Sequence, residues 1–174
     1  MEWMSSGTTF TASCASAVRL LPPDKVAAEP DVLARRLGRF TFKLYGSRAY
    51  LANRPMRPDM TLSGHHAIRY VAMPRAPGEE WLLQRGEGVR TALFASSVPV
   101  LTAPAVAGIG LAVLPAFYAD HEPDLVGLSG PVAESVIWLL VRPEMKRSRR
   151  LAAVHAWLGK VISAKFRMDA DRAR

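Results

Sequence analysis

Strands that alternate with helices along the chain predict an α/β protein with a mostly parallel, doubly wound sheet. Three observations carry that prediction. The stretch Ala95–Pro115, ASSVPVLTAPAVAGIGLAVLP, reads as a helix, a glycine stop and a buried strand. The runs Val89–Phe94 and Ser135–Val141 are short and rich in apolar residues, as strands in such a sheet are. The segment that opens at Ser148 repeats Leu151, Val154, Leu158, Val161 and Ile162 at helical spacing.

The Ala95–Pro115 unit organises the chain. Ser96 and Ser97 are helix-start residues, since each can offer an oxygen to the unpaired N–H groups of a first turn. Pro99 suits that turn, where its missing N–H is no loss. Val98, Leu101, Ala105 and Val106 then recur on one helical face. Gly108 can take the left-handed conformation of a helix stop. Ile109–Leu114 is a strand covered on both faces, and Pro115 ends it. Pro104 sits in the helix interior, where it removes one backbone bond and should bend the helix.

Taken in order, Met1–Ser13 is small, polar and without period, and reads as irregular. Cys14–Leu20 is a strand and Pro22–Asp31 a loop. Val32–Leu37 and Arg39–Gly46 are extended, with Phe40, Phe42 and Leu44 alternating with Thr41, Lys43 and Tyr45. Ser47 caps a short helix to Ala52, and Asp59 caps a turn that ends at Gly64. Ala67–Met73 is a strand, broken by Pro74–Gly78. Glu79–Arg85 is a short helix carrying Trp81, Leu82 and Leu83, and Gly86–Gly88 turns the chain. Phe117 and Tyr118 lie on a turn, Pro123–Leu128 is a further strand, and Ser148 caps the last helix, to about Ala164.

Composition bounds the function. The chain of 174 residues has one cysteine, Cys14, so an internal disulfide and a multi-cysteine metal site are excluded. No apolar run of about 18 residues predicts a membrane span, and the first residues lack a signal-peptide pattern. The cytoplasm is the expected location. The net charge is +8, but the basic residues are scattered apart from Lys146–Arg150, which predicts a solvated surface rather than a nucleic-acid patch.

Catalytic motifs do not stand out. Gly108-Ile109-Gly110 lacks a third glycine and follows a helix, where a phosphate loop follows a strand. His65 and His66 are adjacent, so on an extended segment they point to opposite faces and chelate poorly. Cys14 has no positioned base and reads as a small buried residue. Trp81, Trp138 and Trp157 read as core. No enzyme activity, cofactor or metal is expected. The best site candidates are polar residues where strands end and helices begin: Ser47 after LYG, and Ser96 and Ser97 after VRTALFA. Helix capping alone accounts for them equally well. A helix N-terminus otherwise suits an anion, and no Asp or Glu neighbours Ser96–Ser97 in the sequence.

A family resemblance adds to this reading. AVAGIGLAVLP resembles the "AGLGIALLP" signature of the effector-binding domain of LysR-type transcriptional regulators. VLARRLGRFTFKLYGSRAYL resembles that family's crossover and "LYASPAYL" segment, and DMTLSGHHAIRY its "DLAGHRLIGY" segment. CASAVRL resembles its "DLAIRLG" strand, and LLVRPEMKRSRRLAAVHAW its returning strand and final helix. The resemblance covers roughly Cys14 to Ile162.

It implies the two-lobed type 2 periplasmic-binding-protein-like fold, with lobe two complete and lobe one partial. Residues 14–38 and 132–165 would be the remnant of lobe one, 39–131 lobe two, 1–13 an irregular N-terminus and 166–174 a charged tail. It implies sensing of a small organic effector, in a cleft lined by the positions of Ser47, Ser96 and Ser97. Arg19 would add a cation, and Tyr70 and Phe117 apolar walls. The family's winged helix-turn-helix has no counterpart in this sequence, so DNA contact would need a segment missing here. Full-length relatives form homo-oligomers, commonly through the helix in which this chain carries Pro104. Alternative readings are a solute-binding protein without a DNA role, a non-functional gene fragment, or an α/β enzyme on a similar scaffold.

Overall fold

The computed structural model describes residues 16–21, 33–71, 77–85, 87–143 and 148–172. The readings of Met1–Ser13, Cys14, the Pro22–Asp31 loop, residues 74–76, Gly86 and Lys146 lie outside them. The chain divides into two compact units, one of residues 1–39 and 135–174 and the other Phe40–Glu134.

In unit one, strand β1 (Ser16–Leu21) pairs antiparallel with strand β7 (Ala133–Val141), Ser16 opposite Val141 and Leu21 opposite Val136. Leu139 and Leu140 of β7 are buried, as the apolar run SVIWLLV predicts. Helix α5 (Arg149–Arg172) opens where Ser148 Oγ accepts the Leu151 N–H at 3.4 Å. It continues past the expected end near Ala164. Phe166 lies against Gly38 of strand β2 (Leu33–Ser47), so close that a Cβ on Gly38 would stand 2.9 Å from Phe166 Cβ.

The packed face of α5 also differs from the expected one. Gly159 is buried beneath the Arg35 guanidinium, and Ser163 Oγ donates to the Leu37 carbonyl at 2.8 Å. Val154 and Val161, expected inside, are each 48% exposed, and Trp157, read as core, is 61% exposed. The small residues Gly159 and Ser163 let the helix approach β2 closely, which rotates the valines outward.

In unit two, β2 pairs antiparallel with strand β5 (Leu111–Pro115) and with strand β6 (Leu125–Gly127). Strand β3 (His66–Tyr70) runs parallel to β5 and to strand β4 (Arg90–Ala95). The order is therefore β2-β5-β3-β4, with β4 at the outside. Side-chain alternation splits the core into two clusters. Tyr45, Ile68, Ala112 and Leu114 pack with Leu101 and Ala105 of helix α3 (Val98–Val106). Leu44, Ala67, Leu111 and Val113 pack with Tyr50 of helix α1 (Arg48–Asn53) and Leu82 of helix α2 (Pro77–Gln84). A sheet buried on both faces needs apolar side chains at consecutive strand positions, and LAVLP supplies them.

The organising unit forms with shifted bounds. Gly108 takes φ +78°, as a helix stop requires. The strand begins at Leu111 rather than Ile109, because Gly110 must pass His66: a Cβ there would stand 2.7 Å from the His66 carbonyl oxygen. Pro115 is the last strand residue and also the N-cap of helix α4 (Ala116–Ala119). Helix α3 runs through Pro104 for two further residues.

Candidate functional site

Three parallel strands, β3, β4 and β5, bring their carboxyl ends to one end of unit two. That end holds most of the expected site residues. Tyr70 closes β3 opposite Ala95 of β4, and the Val71 N–H bonds the Ala95 carbonyl at 2.9 Å. Ser96 and Ser97 follow at once. Ser97 is the N-cap of α3, yet its side chain makes no capping bond, and Ser96 is exposed. The first turn is secured instead by Pro at the helix start, and Thr102 Oγ1 bonds the Val98 carbonyl at 2.8 Å. Phe117, on α4 after β5, is half-buried and sits edge-on to Phe40, with ring centroids 5.0 Å apart.

Sequence reasoning missed a carboxylate here. Glu79 of α2 is buried, pairs with the Arg69 guanidinium, and accepts the Tyr70 N–H at 3.4 Å. The Arg69 guanidinium also lies 5.4 Å from the centre of the Phe94 ring. The pair matters because it places an acid at the carboxyl end of β3. Its charge is matched by Arg69, so it does not present a bare negative field to an approaching anion. The signal that could have found it is an acidic residue on the inward face of a short helix beside an arginine-bearing strand.

Ser47 is not brought together with Ser96 and Ser97. It is 1% exposed and caps α1, accepting the Tyr50 N–H at 3.1 Å. Its Oγ lies 3.4 Å from where a Cβ on Gly108 would stand. Gly108 follows the carboxyl end of α3, whereas Ser97 precedes its amino end, and the nine residues of the helix span about 13 Å. Ser47 thus marks the opposite end of unit two. Arg19 is in β1 of unit one, and its side chain lies outside the described residues.

Polar groups near Ser47 form a second constellation. The Tyr50 hydroxyl accepts the His66 N–H at 2.9 Å and lies 3.2 Å from Nδ1 of the buried His65. Burial pushes its imidazole below the usual range, and Arg54, Arg57 and His66 repel the charged form further. Elsewhere in the unit, Tyr45 donates to Asp120 at 2.6 Å, and Lys43 reaches the other Asp120 oxygen at 3.3 Å. Burial raises the Tyr45 phenol above its usual range, with the Asp120 bond adding to it. Among the described residues, no group of three or more His, Cys, Asp or Glu side chains is placed to hold a metal. No helix among them is long and apolar enough to cross a membrane.

Comparison with known proteins gives this geometry a context. The family described as the LysR substrate binding domain matches residues 16–163. No curated protein sequence matches. Among solved structures, the regulatory domain of CrgA, a LysR-type transcriptional regulator from Neisseria meningitidis, is similar with a TM-score of 0.66 at 17% identity, over 83% of this chain and 74% of that one. The effector domain of the transcriptional regulator AmpR of Pseudomonas aeruginosa has a TM-score of 0.66 at 17% identity, over 90% of this chain and 76% of that one. The CcmR regulatory domain of Synechocystis, in complex with 2-PG, has a TM-score of 0.63 at 13% identity, over 86% and 74% respectively. At these identities the likeness is one of fold.

Proposed function

We propose an effector-sensing role for this chain, which belongs to the LysR substrate-binding domain family. The ligand is a small organic anion, such as a carboxylate, taken at the carboxyl ends of β3 and β4. Ser96 and Ser97 supply hydroxyls and N–H groups, and Tyr70 and Phe117 supply walls. The protein acts in the cytoplasm as part of a transcription regulator. DNA contact falls to the winged helix-turn-helix of such a regulator. Control of transcription then requires the effector to favour one arrangement of the regulator over another.

The observation that carries the reading is the unused Ser97 hydroxyl. A serine at an N-cap ordinarily bonds the helix it starts. Here that oxygen makes no such bond, at a helix start whose N–H groups carry partial positive charge. The net charge of +8 favours the approach of an anion.

Calorimetric titration with a panel of small carboxylates tests it, with matched amines as controls. Ser97→Ala should weaken carboxylate binding by a few-fold to about tenfold, the loss of one hydroxyl contact. It should leave stability within about 0.5 kcal/mol, because no capping bond is lost. Unchanged affinity in the mutant would move the ligand elsewhere, and a preference for amines would overturn the anion.

A further inference from the structure

The opposite end of unit two holds a recess that the effector reading does not use. Its volume is about 370 Å³, and Tyr50, Asn53, Arg54, His66, Gly108 and Ile109 are among the residues that line it. It forms where α1 ends, β3 begins and α3 has just stopped. Gly108 is part of the reason it stays open. With φ +78° and no Cβ, it leaves clear the space in front of Ser47 Oγ and the Tyr50 N–H.

The recess is cationic in its wall and in its surroundings. Arg54 lines it, and no Asp or Glu does. Arg54 Nη1 donates to the Gly64 carbonyl at 2.9 Å, which fixes the guanidinium and leaves its other N–H groups available. Arg90 pairs with His66 across the β3–β4 ladder, and Arg57 lies close enough to repel a charge on His65. Among the described residues, Arg54, Arg57 and Arg90 make no ion pair, whereas Lys43 pairs with Asp120 and Arg69 with Glu79. Two exposed acids lie nearby: Asp59, which accepts the Thr61 N–H at 3.1 Å, and Glu87, beside the Gly88 turn.

Helix ends oppose an anion here, and magnitudes decide the sign. The carboxyl end of a helix carries at most about half a negative charge. At α3 much of that is already answered, because the N–H groups of Ala107, Gly108 and Ile109 bond the carbonyls of Ala103, Ala105 and Pro104. The full charge of Arg54 on the wall outweighs what is left. The lining adds two further polar groups: the Asn53 amide, which gives one N–H to the Ala49 carbonyl at 3.2 Å and keeps a second, and the His66 ring, which makes no bond among the described residues. A fixed guanidinium with further N–H donors in the same lining suits an oxyanion, which accepts several hydrogen bonds.

We propose that this recess is a second ligand site, one that binds a phosphate group, either free phosphate or the phosphate of a small monoester. It is separate from the effector position by the length of α3, so either can fail without the other.

The test is titration of the uniformly ¹⁵N-labelled full chain with inorganic phosphate and with glycerol phosphate, at fixed ionic strength, followed by amide shifts in NMR. The expected result is saturable shifts confined to residues 49–54, His66 and 107–109. Arg54→Gln should weaken binding about tenfold or more, the loss of a charge-assisted contact. Arg57→Gln, outside the recess wall, should weaken it no more than about twofold by loss of a screened charge. If Arg54→Gln fails to fold, Asn53→Leu on the exposed end of α1 takes its place, with loss of binding again expected. Tighter binding of glycerol phosphate would identify the ligand as a monoester, and equal binding as phosphate itself. Shifts that grow without saturation and spread over all the arginines, or equal losses in Arg54→Gln and Arg57→Gln, would overturn the site.

Discussion

Glu79 illustrates how one side chain fixes the end of a strand. Its carboxylate holds Arg69 and the Tyr70 N–H together at the carboxyl end of β3. Glu79→Gln keeps the shape but removes the charge, which leaves a partly buried guanidinium without a counter-ion. Arg69 is 27% exposed, so solvent offsets part of the loss, and about 1–2 kcal/mol of destabilisation is expected in urea unfolding. His65 makes a pH-dependent contribution. Its folded pKa is lowered, so the neutral ring favours folding. That stability is fully present above about pH 6.5, the unfolded value, and is lost as pH falls toward the folded value. Urea midpoints between pH 7.5 and 5 should fall for the wild type and fall less for His65→Gln. An identical slope in both would show that the burden lies on other groups.

At the scale of elements, the local chemistry of each serine was legible, but the direction of its strand was not. Ser47 and Ser97 each follow a strand and start a helix, so each reads alike in sequence. β2 runs antiparallel to β5 and β4 runs parallel to β3, which sends the two serines to opposite ends of the same unit. Pairing direction depends on partners remote in sequence, and no cap or turn signal encodes it. The same holds for α5. Its apolar spacing was visible, but the close approach of Gly159 and Ser163 to β2, which turns Val154 outward, depends on the surface it meets. By contrast the order helix, Gly108 stop and strand was readable, because glycine, proline and an apolar run act locally, although the strand starts two residues later than expected and Ser97 makes no capping bond. Pro104 gives a test at this scale. It lies near the carboxyl end of α3 and leaves the Val100 carbonyl without its usual N–H partner. Pro104→Ala restores that donor but enlarges the unfolded ensemble, so a net gain of only about 1 kcal/mol in urea unfolding is expected. A loss of stability would mean that the proline ring itself fills necessary space.

For the molecule as a whole, the open side of unit two governs behaviour in solution. Among the described residues β4 has a strand neighbour on one side only, and an unpaired strand edge is a template for association. Edges that must stay free are commonly blunted by charge. Here Arg90 begins the strand, but Leu93 and Phe94 are 39% and 55% exposed, and Val100 on the adjoining α3 is 50% exposed. Apolar surface of this kind, continuous with an open edge, favours burial against another copy. The net charge of +8 opposes that contact, yet the Debye length at physiological salt is only about 8 Å, so repulsion spread over the surface is weak at contact range. Self-association at micromolar protein is therefore expected in sedimentation velocity, and it should strengthen as salt is raised. Leu93→Lys places a charge on the edge itself, and Val100→Lys places one on the adjoining helix face; both positions are exposed, so each variant should fold with little loss. Either should shift the protein toward monomer by about tenfold or more in dissociation constant, since each would bury an unpaired charge in the contact. A wild type that remains monomeric at all salt concentrations, or lysine variants that associate as the wild type does, would place the association surface off this edge.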